Sequence, residues 1–285
     1  MYSYKIEELT EEFLGMDEAR LQGDRREVSI LFSGIRSFST LTEKMEPADV
    51  VRLLNEYFEV MSDAVIKHRG TLDKYIGDSI MVTFGAVLPL EDHAWMSVQA
   101  ALEMRDRLQE FNAKLVRAQK PAFQIGIGIN ADTVIAGNLG SSKLSKFTVI
   151  GDGVNIAAYL EGMSKQYGCD IVISKSTYQF CSEQIWAREL DYIHTKGRNQ
   201  PVAIYEVVGL RSEPISEEKR KVMEHYNQGR EHYLNRKFRR AMNEFAIVVE
   251  DMNTNDKTSM MYLKRCQYLL QNPPSEDWDG VWGLT

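Results

Sequence analysis

The apolar residues change their period along the chain, and each period marks a different kind of element. EVSILFS at 27–33, rich in β-branched and aromatic residues, predicts a strand. Pro47 stands near the start of a long stretch in which Val51, Leu54, Tyr57, Phe58, Met61 and Val65 recur at helical spacing, predicting one buried helix face. GTLDKYIGDSIMVTFG predicts two strands around an Ile76-Gly77-Asp78-Ser79 turn. A second long helix is expected over 92–118. FQIGIGIN and TVIAGNLG then read as paired strands. GDGVNIAAYLEGMSKQY reads as a helix, with Asp152 as its N-cap and Gly168 as its stop. DIVI and residues 201–207 add shorter strands. Strands interleaved with long helices predict an α/β (α+β) sheet with helices on its faces.

The ends of the chain carry a different pattern. Residues 1–22 read as a polar helix and linker, and the mixed domain is expected over 23–210. Beyond Pro214, residues 217–270 are polar and helical with no strand signal, so 211–285 is expected to be a small all-α extension. Gly229, Ala241 and Phe245 fall at the spacing of the small and aromatic positions in a tetratricopeptide helix pair. One such unit cannot bury both its faces, so it is expected to pack on the main domain or on a protein partner. Trp278 and Trp282 in the tail read as docking anchors, with a plain helical extension as the equal alternative.

Composition and charge act mainly by exclusion. The chain has 285 residues, and its 34 basic against 41 acidic side chains give a net charge of −7, which argues against a nucleic-acid binder. A hydrophobic fraction of 44% supplies a real core. No window approaches the roughly 18 apolar residues of a membrane span. The acidic start lacks the order of a signal peptide, and three scattered cysteines form no CxxC pair. The expectation is a cytoplasmic setting with the thiols as core filler.

Candidate chemistry begins at Asp78, whose place on a tight turn suits either a Mg²⁺ ligand or a simple turn former. Lys74 lies four residues earlier, open to a base or a phosphate or merely solvated. Asn155 and Tyr159 share a helix face, and an Asn in an apolar stretch needs a partner. Lys196-Gly197-Arg198 reads as a phosphate clamp or a solvated loop. Gly126-x-Gly128-x-x-Ala131 satisfies the loose dinucleotide pattern, but TVIAG follows where a helix is required. Those glycines are expected to serve close strand packing instead.

Taken in order, REVSILFSGIRSFSTL, PADVVRLLNEYF, GTLDKYIGDSIMVTFG, AGNLGSSKLSKFTVIGDGVNIAAYLE and TKGRNQPVAIYEV resemble the class III nucleotide cyclases over residues 24–208. The resemblance implies a ferredoxin-like sheet and a head-to-tail dimer, either with a second copy or with another cyclase domain. It implies conversion of ATP to cyclic AMP and pyrophosphate at sites shared across the interface. Asp78 then matches a metal aspartate for Mg²⁺ (or Mn²⁺), beside the Ile35 main-chain carbonyl. Lys74 and Thr148 match a base-reading pair that favours ATP, Asn155 the ribose-orienting asparagine, and Lys196 the triphosphate lysine.

Two positions depart from the family pattern. Gly34 stands where the other metal aspartate belongs, and Tyr159 where the transition-state arginine belongs. Ala131-Asp132 replaces the usual Thr-Gly, and Ser37 replaces a glycine. No acid near position 34 is expected to substitute, since Asp24 and Asp73 are out of register. Two readings follow: a severely impaired adenylate cyclase, or an inactive pseudo-cyclase acting as an ATP-binding dimerisation module.

Overall fold

The computed structural model describes residues 23–43, 45–141, 143–194 and 201–282. The helix expected within 1–22 and the Lys196-Gly197-Arg198 turn lie outside them. β1 (Asp24–Ile35) is followed by the short α1 (Phe38–Thr42) and the long α2 (Pro47–Lys67). The hairpin β2 (Thr71–Ile76) and β3 (Ser79–Phe84) leads to α3 (His93–Arg117). Next come β4 (Ile125–Ser141), β5 (Leu144–Ile150), α4 (Asp152–Tyr167), β6 (Ile171–Ser174) and α5 (Lys175–Cys181). β7 (Ile185–Ile193) and β8 (Val202–Leu210) complete an eight-stranded sheet of order β2-β3-β1-β4-β6-β8-β7, with β5 paired to β4. β4 and β6 run parallel, and the other pairings are antiparallel.

The alternation of β1 assigns its residues to two layers. Leu31 and Ile35 pack with α2 and α3 on one face, while Val28, Ile30 and Phe32 pack toward α4 on the other. All three cysteines are buried free thiols. Among the described residues no helix is long and apolar enough to cross a membrane.

The sequence expectations need four corrections. Leu53, Tyr57, Met61, Ala64 and Val65 form the buried face of α2, while Val51 is 58% exposed. Val51 precedes Tyr57 by six residues, about 600° of helix rotation, which turns it off the stripe. FQIGIGIN and TVIAGNLG are not paired with each other. They form one continuous strand, β4, whose first part pairs with β1 and whose end folds back on β5. Ala131-Asp132 brings no positive φ to break the run. Gly151, rather than Asp152, occupies the N-cap of α4, and Gly168 ends it with φ 72°. β5, α5 and β7 are elements that the hydrophobic pattern did not predict.

Beyond β8, α6 (Glu217–Leu234), α7 (Phe238–Ile247), a π-helical turn (Val248–Met252) and α8 (Lys257–Gln271) enclose a second core around Tyr226, Tyr233, Phe245 and Tyr262. A Cβ on Gly229 would stand 2.8 Å from the Phe245 ring, so the glycine lets α6 and α7 close together. Trp278 and Trp282 fold back within the chain, Trp278 against Tyr233 and Phe238 and Trp282 against Tyr268. Buried polar contacts seat these helices on the sheet domain. Arg265 pairs with Asp191 at 2.6 Å, and Arg188 with Asp256 at 2.8 Å. The Tyr262 hydroxyl donates to the Leu190 carbonyl at 2.7 Å, and that of Thr258 to Tyr167 at the end of α4 at 2.8 Å.

Candidate active site

The strand period that places Phe32 under α4 also turns position 34 toward that helix. Gly34 pairs across the ladder with Gly126, and Phe32 with Gly128. A Cβ on Gly128 would lie 2.2 Å from the Glu161 amide nitrogen and 2.3 Å from the Ala157 carbonyl. The α4 backbone therefore rests directly on β4, and these glycines serve a helix-on-strand approach rather than strand packing.

The same contact carries the Glu161 side chain over the Gly34–Gly126 pair. Glu161 Oε1 lies 3.0 Å from where a Cβ on Gly34 would stand and 3.1 Å from one on Gly126. Ser79 Oγ lies 2.9 Å from that Gly34 position. At the tip of the β2–β3 hairpin, Gly77 takes φ 62°, and Asp78 Oδ2 accepts the Ile35 main-chain N–H at 3.0 Å. Burial raises the Glu161 carboxyl above the usual carboxylate range, and the negative charge of Asp78 adds to the rise, while Arg36 opposes it.

Glu161 is the residue that the sequence reading missed. The visible signal is an acid four residues after Ala157, on the helix stripe that also buries Leu160 and Ser164. Asp24 and Asp73 are indeed elsewhere, at the far end of β1 and in β2, which β3 separates from β1. A divalent cation of the kind the family resemblance implies would meet hard oxygen donors here, at Asp78, the end of β1 and Glu161. All of these are oxygen donors, so the donor set fits such an ion by its chemistry.

Lys74 and Thr148 come together although they lie on different strands. Lys74 Nζ donates to Thr148 Oγ1 at 3.3 Å, and Thr148 Oγ1 donates to Asp73 Oδ2 at 2.6 Å. Asp73 also pairs with Lys74 at 3.2 Å, and Lys146 Nζ donates to the Asp73 carbonyl. Asp73 itself is buried, at a bulge between Leu72 and Lys74 where the ladder shifts register. It is the anchor of the pair, and sequence spacing had not singled it out for that role.

Asn155 and Tyr159 sit on the outer face of α4. Asn155 is exposed, and Tyr159 is 45% exposed, pointing away from the core. Two residues on, about 200° round the helix, Glu161 faces the strands. One helix thus turns its polar pair outward and its acid inward. Ser37 has φ 56°, a left-handed conformation in which glycine is unstrained, which accounts for the glycine that the resemblance implies at this place. Ala131 is buried and its N–H donates to Thr177 Oγ1 at 2.9 Å.

Known proteins resemble this chain over the sheet domain. Residues 22–209 match the model of the adenylate and guanylate cyclase catalytic domain. Adenylate cyclase 1 of Rhizobium meliloti is 35% identical over 186 residues, covering 65% of this chain and 28% of the relative. The terminal-differentiation specific adenylate cyclase of Dictyostelium discoideum is 32% identical over 260 residues, covering 88% of this chain and 12% of the relative. The chain therefore spans well under half the length of these curated relatives. The crystal structure of the adenylyl cyclase CyaB from P. aeruginosa superposes with a TM-score of 0.62 at 33% identity, covering 68% of this chain and 100% of that one. That of the guanylyl cyclase Cya2 gives 0.60 at 35% identity, covering 66% and 94%. Similarity extends to proteins named for either base, so it identifies the family and not the nucleotide. By its matched segment, its sheet and its relatives, this chain belongs to the adenylate and guanylate cyclase catalytic domain family.

Proposed function

We propose that residues 23–210 form an adenylate cyclase-type module that binds ATP at an interface shared with a second cyclase domain and turns it over at a severely reduced rate. The observation that carries this reading is the Lys74–Thr148–Asp73 cluster, assembled beside the Asp78 hairpin while Gly34 and Tyr159 take the places of two charged groups. Lys74 and Thr148 present a cation and a hydroxyl to the adenine edge. Asn155, reaching across from the other domain, orients the ribose, and Lys196 holds the triphosphate. The ribose 3′-hydroxyl then attacks the α-phosphorus, and pyrophosphate leaves.

Asp78 and the Ile35 carbonyl would hold the divalent cation, Mg²⁺ or Mn²⁺, on the side of the triphosphate. When bound, such an ion neutralises phosphate charge and eases deprotonation of the nucleophile. At position 159 the chain offers a phenol where a guanidinium would meet the developing charge. Loss of one such preorganised donor costs on the order of 10²–10³ in rate. In a homodimer both sites carry this loss together with that at Gly34.

The shared interface is supported by exposed apolar residues beside the cluster. Tyr75 and Ile76 on β2, Leu139 on β4 and Leu144 and Ile150 on β5 are all exposed. The Lys74–Thr148 and Lys146–Asp73 contacts join β2 to β5 in one surface. Residues 211–285 form a tetratricopeptide-like extension in this reading, closed by its own tryptophans and available to a protein partner.

The test is cyclic AMP formation from ATP by the purified chain with Mg²⁺ and then Mn²⁺, beside the double variant Gly34→Asp/Tyr159→Arg. The expected outcome is ATP binding by calorimetry in both proteins and a rate at least about 10²-fold higher in the variant. A starting protein whose rate the variant does not improve contradicts the impairment. Binding without any product from the starting protein places it with the inactive pseudo-cyclases, which the losses at Gly34 and Tyr159 also favour.

A further inference from the structure

We propose that Asp73 sets which base the chain accepts, by holding the hydroxyl proton of Thr148 and leaving that residue able only to accept a hydrogen bond from the nucleotide. Asp73 is then a positioning residue for base selection, a role that rests on the function proposed above. Its side chain is only 4% exposed, so it acts through Thr148 and not on the nucleotide.

Two strands bring the parts together. In a regular strand neighbouring side chains point to opposite faces, and Asp73 and Lys74 would not share a partner. The register shift between Leu72 and Lys74 breaks that alternation, and both side chains reach Thr148. Lys146, two residues before Thr148 on β5, donates to the Asp73 main-chain carbonyl and ties the bulge to that strand at a second point. Among the described residues Asp73 Oδ1 accepts no hydrogen bond and faces the Lys74 ammonium at 3.2 Å. The Thr148 hydroxyl is thus the hydrogen-bond donor to this carboxylate.

A count of protons and lone pairs gives the consequence. A threonine hydroxyl has one proton and two lone pairs, a carboxylate has lone pairs only, and an ammonium has protons only. At 2.6 Å the Thr148 proton is committed to Asp73 in a short, charge-assisted bond. Lys74 uses one Thr148 lone pair at 3.3 Å, and the other is left for a ligand. The pair therefore offers a base one donor, at Lys74, and one acceptor, at Thr148. Adenine presents a ring-nitrogen acceptor beside a 6-amino donor, whereas guanine in the same placement presents a ring N–H beside the O6 acceptor. Opposite Thr148 the amino group finds a lone pair, and O6 finds a second acceptor. Without the acid at 73 the hydroxyl turns to serve either group, and the selection is lost.

Calorimetry on the purified full chain with Mg²⁺, using 3′-deoxy-ATP and 3′-deoxy-GTP, measures selection without turnover, because neither nucleotide has the attacking hydroxyl. The unaltered chain is expected to prefer the adenine nucleotide by about tenfold or more, as a well-matched base contact does. Asp73→Asn keeps the shape but lets the side chain donate to Thr148, and is expected to cut that preference by about tenfold, with a gain for 3′-deoxy-GTP as well as a loss for 3′-deoxy-ATP. Asp73→Asn/Thr148→Asp places at 148 a carboxylate that accepts without help, and is expected to restore the preference. An unchanged ratio in Asp73→Asn, whether both affinities hold or both fall alike, overturns the role of Asp73 and leaves Lys74 and Thr148 as the base-reading pair. A double variant that shows no preference also overturns it, because the loss in Asp73→Asn was then structural. Absence of 3′-deoxy-ATP binding, or of any preference, in the unaltered chain overturns both the role and the functional reading beneath it.

Discussion

Thr148 shows how much can hang on one hydroxyl. It donates to buried Asp73 at 2.6 Å and accepts from Lys74 at 3.3 Å, so it holds the two charged neighbours in register. Thr148→Val keeps the shape and removes both bonds, leaving a buried carboxylate short of a donor at a cost of about 1–3 kcal/mol. The expected outcome is a lower denaturation midpoint and, by calorimetry, loss of any preference for ATP over GTP. Retained preference would assign base reading to other residues. The departures at Gly34 and Tyr159 were legible in the sequence because each sits inside a short motif that fixes its position. Glu161 was not legible, because its closeness to Gly34 depends on two glycines of β4 that let a helix rest on the strand. Spacing alone had assigned those glycines to strand packing.

At the scale of elements, the hydrophobic period found the strands with uniform burial and lost the one with buried charge. β7 carries Arg188, Glu189 and Asp191, which interrupt its apolar run. Each is answered from the C-terminal helices or the loop before them: Arg188 by Asp256, Glu189 by Arg230, and Asp191 by Arg265. The strand pattern is readable only when those helices are in place, which is why the sequence did not predict it. Thr258 also binds the extension to Tyr167 at the end of α4, the helix that bears Asn155, Tyr159 and Glu161, and the Tyr167 hydroxyl donates to Asp191. Arg265→Ala removes one partner of a buried pair and is expected to cost about 3–5 kcal/mol. Asp191→Asn/Arg265→Met, which removes both charges, is expected to recover much of that loss. Urea denaturation of the two variants checks it, and equal midpoints would show that the pair does not anchor the extension. β5 and the long β4 were missed for a different reason. Leu139 and Leu144 near the hairpin end are exposed, so no buried stripe marks them.

For the whole molecule, the outward Asn155–Tyr159 face of α4 suits the division of labour between chains that the proposed function calls for. In the proposed reading, one copy holds the cation side and reads the base, and the other presents position 159. The fold itself was legible because five motif blocks occur in order over one domain-sized segment. How completely the two faces of α4 are separated was not legible, since it depends on the seating of the helix. The most direct measurement is complementation in cyclic AMP formation. Asp78→Asn/Tyr159→Arg, which lacks the cation aspartate but carries the guanidinium, is mixed with the unaltered chain, and the rate is compared with each protein alone. The account predicts a mixture faster than either by about 10²-fold, because one site then joins the Asp78 cation side to an arginine. A mixture no faster than the average of the two would contradict it.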